Sequence, residues 1–104
     1  MEKQITNGVL VISNEEKYDI GNAETVTGEL TKEIENNTEI KALQFDFTNT
    51  SFVSTAGLRM LSAINKTCIE NGLNFSIVNV KDEIYEVMEL TGYTSAFNVE
   101  KVNI

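Results

Sequence analysis

The start of the chain carries the pattern of a β-hairpin. Residues 3–6 and 9–13 are rich in strand-forming side chains, and Asn7-Gly8 between them is the dipeptide that two-residue hairpin turns prefer. The next segment, residues 14–21, is mostly polar, and we interpret it as a connection. The pattern therefore predicts two antiparallel strands followed by a loop.

Helical periodicity then gives way to the periodicity of a strand. A stripe at intervals of three and four predicts a helix that Asn22 caps and that ends near residues 36–37. Its apolar members are Ala23, Val26, Leu30 and Ile34. Residues 40–47 predict a strand whose apolar face alternates with Gln44 and Asp46. We expect Asp46 to accept hydrogen bonds from the turn that follows.

Two further helices and two further strands are predicted downstream. A helix over about residues 56–71 is followed by a strand over 73–79, and a helix over 82–90 is followed by a short turn and a strand over 98–104. Leu58, Leu61, Ile64 and Cys68 are expected to line the buried side of the first of these helices, and the apolar side of the second consists of Ile84, Val87 and Met88. The apolar residues of the two strands are Phe75, Ile77, Val78, Val99 and Val102.

This order of elements predicts an α/β fold. Strands that alternate with helices are joined by right-handed crossovers, so we expect a mixed, mostly parallel sheet of about four to five strands. The alternating strand at 40–47 favours helices mainly on one face of the sheet. We expect residues 1–104 to form a single domain.

Composition narrows the classes of function. The net charge of −8 argues against binding to nucleic acid or to anionic membranes, both of which attract Lys and Arg. The chain has no His and a single Cys, which excludes a Ser-His or Cys-His nucleophile pair, and its carboxylates are scattered. We therefore expect no enzyme activity, cofactor or metal. The absence of a long apolar segment or signal-peptide pattern, together with the unpaired Cys68, favours a cytoplasmic protein.

Residues 45–61 carry the most functional information. An apolar, alternating run ends in a polar turn, and Ser54 and Thr55 then precede Ala56-Gly57 at the start of the second predicted helix. Unpaired N–H groups at a helix start favour negative charge, so a phosphate on a hydroxyl there would be stabilised. A partner could also recognise that phosphate. The pattern indicates a switch site rather than a catalytic site.

Three segments resemble landmarks of one known family. Ser54-Thr55-Ala56-Gly57-Leu58 is similar to a switch motif that reads Asp-Ser-Ser/Thr-Gly-Leu and follows the same strand. Residues 18–24 resemble that family's Leu-Asp segment before its first helix, and residues 87–93 resemble its Leu-Glu-Leu-Thr-Gly-Leu helix ending. The chain thus resembles, over nearly its whole length, the STAS family of anti-sigma-factor antagonists and sulfate transporter domains. The small bacterial antagonists match best.

This resemblance implies a phosphorylation switch. In such antagonists a partner that is both kinase and anti-sigma factor phosphorylates the hydroxyl after the motif's Asp, which here is Thr55. The dephosphorylated protein binds that partner and frees the sigma factor, and phosphate ends the binding. The implied partners are an anti-sigma factor or serine/threonine switch kinase, with a phosphatase as a further candidate.

Ser54 departs from the family pattern because it replaces the motif's Asp. It becomes a rival acceptor of phosphate, and it can also serve as the N-cap of the helix. The residue after Thr55 is Ala56, where the motif has Ser or Thr, and the upstream Gly of the family pattern is Glu16 here. The alternative therefore stays open that Ser54 and Thr55 cap the helix and are never modified.

Four further residues are candidates for contact with a partner. The resemblance implies that Asp19 lies close to Thr55, where it binds a partner or positions the hydroxyl, although a solvated loop Asp is the alternative. Gly57 is expected to permit close helix packing or access to the hydroxyl. Arg59 is expected either to contact a phosphate or partner or to be a solvated helix residue. Met60 would suit a binding surface if exposed, and otherwise the core.

Three hypotheses of function follow from these patterns. The first is a phosphorylation-controlled antagonist of an anti-sigma factor. The second is a constitutive adaptor or scaffold in bacterial signalling without a phosphate switch, which the departures at Ser54 and Ala56 keep open. The third is a nucleotide-binding or nucleotide-hydrolysing domain, which ranks last because the sequence has no Gly-rich phosphate loop with its Lys.

Overall fold

An Asn-Gly hairpin begins the computed structural model, which describes residues 1–102. Strands β1 (Glu2–Thr6) and β2 (Val9–Ser13) pair antiparallel across Asn7-Gly8. Both turn residues have positive φ, 52° and 79°, a conformation that Asn and Gly tolerate better than other residues. The hairpin predicted from the Asn-Gly dipeptide is confirmed.

Strands and helices alternate through the rest of the chain. These elements are β3 (Lys17–Tyr18), α1 (Ala23–Asn36), β4 (Ala42–Asp46), β5 (Phe52–Val53), α2 (Thr55–Glu70), β6 (Asn74–Val80), α3 (Asp82–Leu90), α4 (Tyr93–Ala96) and β7 (Asn98–Lys101). The main sheet has the order β1-β2-β4-β6-β7, and every pair after the first is parallel. The predicted α/β fold with a mixed, mostly parallel sheet is confirmed.

The helices cover one face of this sheet. Each crossover from β2, β4 and β6 moves in the same direction across the sheet, so right-handed connections place α1, α2 and α3 on the same side. Burial along β4 agrees, since Leu43 and Phe45 are fully buried whereas Gln44 and Asp46 on the opposite face are only partly buried. The cover of one face that the alternation at 40–47 predicts is present.

Aromatic side chains fill the centre of the core, between the sheet and the helices. Tyr18, Phe45 and Phe47 are each at most 1% exposed. The Tyr18 ring lies 5.6 Å from that of Phe45, edge to face, and 5.7 Å from that of Phe47, nearly parallel. Such arrangements are the favoured ones for aromatic pairs. Phe75 extends the cluster towards Phe97.

The segment predicted as a polar connection contains a strand. Lys17 pairs with Phe52 and Tyr18 with Val53 in a separate, two-stranded parallel sheet. A strand of two residues is too short to leave an alternating pattern, and the burial of Tyr18 depends on how the whole chain packs. The interpretation of residues 14–21 as connection alone was therefore wrong.

Two other expectations need correction. Asn22 occupies the N-cap position of α1 but makes no capping hydrogen bond; its side chain accepts from the Asp19 N–H and donates to the Lys17 carbonyl, each at 2.9 Å. Val87, assigned to the core, is 45% exposed, because α3 packs through Ile84 and Met88 one turn apart.

The C-terminal strand differs from its prediction in extent. It was predicted over residues 98–104, and β7 spans Asn98–Lys101; residues 103–104 lie outside the part of the chain that the structure describes. The pairing of β6 with β7 is irregular, because the register shifts between Ile77 and Val80. Asn79 has positive φ at this shift, which turns Val80 into the core.

Nowhere in residues 1–102 is a helix long and apolar enough to cross a bilayer.

Candidate functional site

The small sheet of β3 and β5 brings two distant candidate segments together. Tyr18 lies opposite Val53, and the Ser54 N–H donates to the Tyr18 carbonyl at 3.0 Å. Asp19 follows Tyr18 just as Ser54 follows Val53, so the parallel register places Asp19 beside the start of α2. The loop before α1 and the start of α2 therefore form one surface.

Helix α2 begins with a side-chain cap and an exposed hydroxyl. Ser54 is the N-cap in extended conformation, and its Oγ accepts from the Gly57 N–H at 3.3 Å. Its predicted role as a cap is confirmed. Thr55 is the first helical residue and is exposed. Within residues 1–102, the N–H groups of Thr55 and Ala56 have no hydrogen-bond acceptor, so they can face an anion.

Gly57 allows α2 to approach β3 and β5 closely. A Cβ at this position would overlap the Tyr18 carbonyl oxygen and would lie 2.8 Å from Val53 Cγ1. Any larger residue would push the start of α2 away from the small sheet. The expectation that Gly57 serves close helix packing agrees with this geometry.

Lys81 holds the loop of residues 47–51, which joins β4 to β5 and which we term the β4–β5 loop. Its ammonium group donates to three backbone carbonyls: Phe47 at 3.4 Å, Thr48 at 2.7 Å and Thr50 at 2.9 Å. Hydrogen bonds from a charged donor are stronger than those between neutral groups. The loop that leads to the start of α2 is thus fixed by the residue that directly precedes α3.

Two further side chains fix the same loop. Thr50 is 1% exposed and donates its hydroxyl to the Glu15 carbonyl at 2.6 Å. Asp46 accepts at Oδ1 from the Thr48 N–H at 3.0 Å and from Asn79 Nδ2 at 3.0 Å. Partial desolvation of Asp46 disfavours its charged form, but the hydrogen bonds from Asn79 and Thr48 outweigh that effect and lower its pKa. The predicted role of Asp46 in the turn is confirmed.

The structure brings together most of the residues expected at the site, but not Met60. Asp19 Oδ1 accepts from the Gly21 N–H at 2.9 Å, and its Oδ2 lies 3.6 Å from Lys17 Nζ, so this carboxylate closes its own loop. Arg59 is exposed on α2 and forms none of the ion pairs found within residues 1–102. Met60 is only 2% exposed, so its expected place on a binding surface is wrong. It faces the core because it lies between buried neighbours on the inner side of α2.

Sequence patterns missed Lys81 and the apolar surface beside the site. Lys81 directly precedes α3, where a positive charge interacts unfavourably with the helix dipole. A Lys at such a position is the signal in the sequence that its ammonium group binds elsewhere. Phe52 and Val87 are 53% and 45% exposed and line a cleft of about 160 Å³ with Leu58 and Ile84. No periodicity marks this cleft, since it forms only where β5 meets α3.

Comparison with known proteins identifies the fold. A family model described as STAS domain matches residues 1–102. The protein TM1081 of Thermotoga maritima has a similar structure, with a TM-score of 0.85 and 16% identity over 96% of this chain and 85% of that chain. An anti-sigma factor antagonist from Mycobacterium paratuberculosis has a TM-score of 0.81 and 20% identity over 95% of this chain and 82% of its own.

The Bacillus cell fate determinant SpoIIAA, solved in its phosphorylated form, has a TM-score of 0.73 and 13% identity, covering 94% of this chain and 88% of that protein. Identities this low establish a shared fold. No curated protein sequence matches the chain. Because the family model spans almost the whole sequence, the chain belongs to the STAS domain family.

Proposed function

We propose that this protein is a phosphorylation-controlled anti-sigma-factor antagonist. In its dephosphorylated form it binds an anti-sigma factor that is also a serine/threonine switch kinase, and phosphate on Thr55 releases that partner. A phosphatase then restores the binding form, and the exchange takes place in the cytoplasm. The observation that carries the proposal is that exposed Thr55 lies at the start of α2, beside two N–H groups that have no acceptor within the described residues 1–102.

Thr55 is a better phosphate acceptor than Ser54. The Ser54 hydroxyl accepts from the Gly57 N–H and its residue is partly buried, whereas Thr55 is exposed. A kinase must bring the hydroxyl in line with a nucleotide phosphate, which requires access from solvent. Modification of Ser54 would also break the cap of α2. Both considerations favour Thr55.

Release of the partner follows from the physics of the added group. Phosphate brings about −1.5 to −2 charges at neutral pH and three strong acceptor oxygens. The helix start stabilises this charge in the free protein, whereas burial against a partner removes its hydration and adds bulk within the contact surface. Phosphate therefore raises the free energy of the complex but not that of the free protein, so release of the partner requires no large rearrangement of the fold.

The structural neighbours support the same class of function. One is named an anti-sigma factor antagonist and another was solved in a phosphorylated form. Their low identity to this chain extends no residue role to it, and Ser54 stands at the position where the family motif has Asp. A constitutive adaptor without a phosphate switch is therefore the alternative that the experiment must separate.

The test is phosphorylation of the purified protein by the switch kinases of its own organism. The protein is incubated with ATP and each kinase, and intact-mass and peptide mass spectrometry then locate the phosphate. We expect one phosphate on Thr55, none in a Thr55→Ala variant, and unchanged modification of Ser54→Ala provided that the latter stays folded. Binding of the same kinase, measured by calorimetry, should be lost once the phosphate is present.

Two results would contradict the proposal. A kinase that binds the protein tightly but never phosphorylates it, with equal affinity for Thr55→Glu, would identify a constitutive adaptor. Phosphate on Ser54 in the wild type and in Thr55→Ala would keep a switch but place it on the capping residue.

A further inference from the structure

A cleft beside Thr55 exposes apolar side chains at the surface of an acidic protein. Phe52 and Val87 form its walls, while the buried Leu58 and Ile84 form its floor. Leu90 is 87% exposed one turn after Val87 and continues the apolar strip along α3. Exposed apolar groups that converge on one depression are typical of an interaction site.

The size of the cleft fits one large side chain. Its volume is about 160 Å³, and an apolar cavity of about 150 Å³ accommodates a benzene ring. A Leu, Met or Phe side chain from a partner would therefore fill it. Hot spots of protein interfaces commonly have this form, in which an apolar anchor enters a pocket on the partner.

Acidic side chains at the rim of the cleft favour an occupant with positive charge. Every charged residue of α3 is acidic: Asp82, Glu83, Glu86 and Glu89. Glu83 itself lines the cleft, and Lys81, which precedes the helix, directs its ammonium group to the β4–β5 loop instead. A second copy of this chain would bring the same acidic rim against this one, so self-association through α3 is disfavoured.

We propose that the cleft between β5 and α3 binds a basic amphipathic segment of the partner, with one large apolar side chain seated between Phe52 and Val87. Lys or Arg residues flanking that anchor pair with Glu83 and Glu86. The cleft adjoins the phosphate acceptor, since Phe52 precedes Thr55 by three residues. The inference rests on the proposed function for the identity of the partner, but the cleft itself can be tested without it.

The first test uses a synthetic helical peptide of Leu and Lys as the probe and the same peptide with Glu in place of Lys as its control. Each is titrated into isotope-labelled protein and followed by NMR. We expect the Lys peptide to shift the signals of Phe52, Val87 and Leu90 in a saturable manner, and the Glu peptide to shift none of them. Shifts centred elsewhere with the Lys peptide would overturn the inference.

Matched variants separate the cleft from general surface effects. Val87→Ser should weaken binding of the Lys peptide about fivefold to tenfold, whereas Ile69→Ser, at an exposed aliphatic position near the end of α2, should change affinity less than twofold. Glu86→Lys leaves the apolar walls intact and should weaken binding through charge alone. Equal effects of Val87→Ser and Ile69→Ser would contradict the proposed site.

The same variants are then measured against the kinase that modifies Thr55. Loss of kinase binding in Val87→Ser but not in Ile69→Ser supports the inference. Unchanged kinase binding in Val87→Ser, with Thr55 still phosphorylated, overturns it and leaves the switch in place. A chain that binds the Lys peptide at the cleft but is never phosphorylated supports the cleft and removes the switch.

Discussion

Gly57 determines how closely α2 can approach the small sheet. A Cβ there would overlap the Tyr18 carbonyl oxygen, and that carbonyl already accepts from the Ser54 N–H. The position of Thr55 therefore depends on a neighbour two residues away that has no side chain. The close packing of Gly57 against the small sheet therefore also fixes where the Thr55 hydroxyl lies.

We expect Gly57→Ala to destabilise the fold by about 1–3 kcal/mol, because a methyl group has no space between α2 and β3. Gly28→Ala is the matched control. Gly28 lies in α1, and no atom of residues 1–102 comes within 4 Å of a Cβ added there, so the change should stabilise the fold by about 0.5–1 kcal/mol through helix propensity. Urea unfolding of both variants measures the difference. A Gly57→Ala protein as stable as the wild type would show that α2 is free to shift.

Asp46 gives the stability of the β4–β5 loop a dependence on pH. Its pKa in the folded protein lies below the ordinary 3.8, after the cost of desolvation is outweighed by hydrogen bonds from Asn79 and Thr48. The carboxylate therefore contributes stability that is complete above its unfolded pKa and is lost as pH falls through its folded pKa.

The corresponding variant is Asp46→Asn. We expect it to be less stable than the wild type at pH 6. This difference should shrink as the pH falls below about 4, because Asp46 is protonated first in the unfolded chain and, at lower pH, in the folded protein as well. Urea unfolding between pH 3 and pH 6 measures both proteins. Glu39→Gln, an exposed position after α1, serves as the control. A difference that stays constant with pH would assign the loss to shape rather than to charge.

At the scale of elements, the connection between β6 and α3 supports the loop that leads to the start of α2. Lys81 reaches three carbonyls of the β4–β5 loop, which is continuous with β5 and then with Ser54. Just before Lys81, strand β6 is irregular: its register with β7 shifts after Ile77, and Asn79 has a positive φ. The Asn79 side chain donates to Asp46. The irregular end of β6 thus places Asn79 against the end of β4 and Lys81 against the β4–β5 loop.

We expect Lys81→Met to loosen this loop. Three carbonyls lose a charged donor, so the free energy of unfolding should fall by about 1–2 kcal/mol, and amide exchange at Thr50 and Ser51 should quicken. Lys66→Met is the control, since Lys66 is exposed on α2 and absent from the ion pairs of residues 1–102. Equal exchange rates in the two variants would mean that Thr50 and Asp46 alone hold the loop.

Much of this architecture was predictable because it depends on local signals. The Asn-Gly hairpin, the stripes of α1 and α2 and the bounds of α3 follow from turn chemistry and periodicity over several residues. The β3–β5 pair, the contacts of Lys81 and the apolar cleft depend on segments more than 30 residues apart. A pattern read along the chain cannot contain them.

The site was predictable to a similar degree. Ser54 and Thr55 stand out as hydroxyls at a helix start, and Asp19 was placed near them by resemblance. Met60 was misplaced because the buried side of α2 is wider than the predicted apolar stripe and includes Met60 itself. The rotation of the helix is set by Leu58, Leu61 and Ile64 acting together.

At the scale of the whole molecule, the layout separates what holds the fold from what meets a partner. The aromatic core lies between the sheet and the helices, while the start of α2, the β4–β5 loop and α3 meet at one end of the strands. Ligand sites of open parallel sheets commonly occupy that end. A charge added there can alter binding without disturbing the core.

Phosphate on Thr55 is therefore expected to change stability and binding in opposite directions. The dipole of α2 and the N–H groups of Thr55 and Ala56 should stabilise the phosphorylated protein by about 0.3–1 kcal/mol, although its net charge becomes more negative than −8. The same group should abolish binding to the kinase that added it. Urea unfolding and NMR of the two forms measure the first effect, and calorimetry measures the second.

The distribution of NMR changes decides between two mechanisms of release. If the phosphate acts only through charge and bulk at the contact surface, shifts stay near residues 17–22 and 47–58, and the signals of Phe45, Leu43 and Ile77 in the sheet remain unchanged. Shifts throughout the sheet, or a loss of stability above 1 kcal/mol, would instead require a conformational change. The tight packing of Gly57 against Tyr18 favours the first mechanism, because α2 has no slack in which to move.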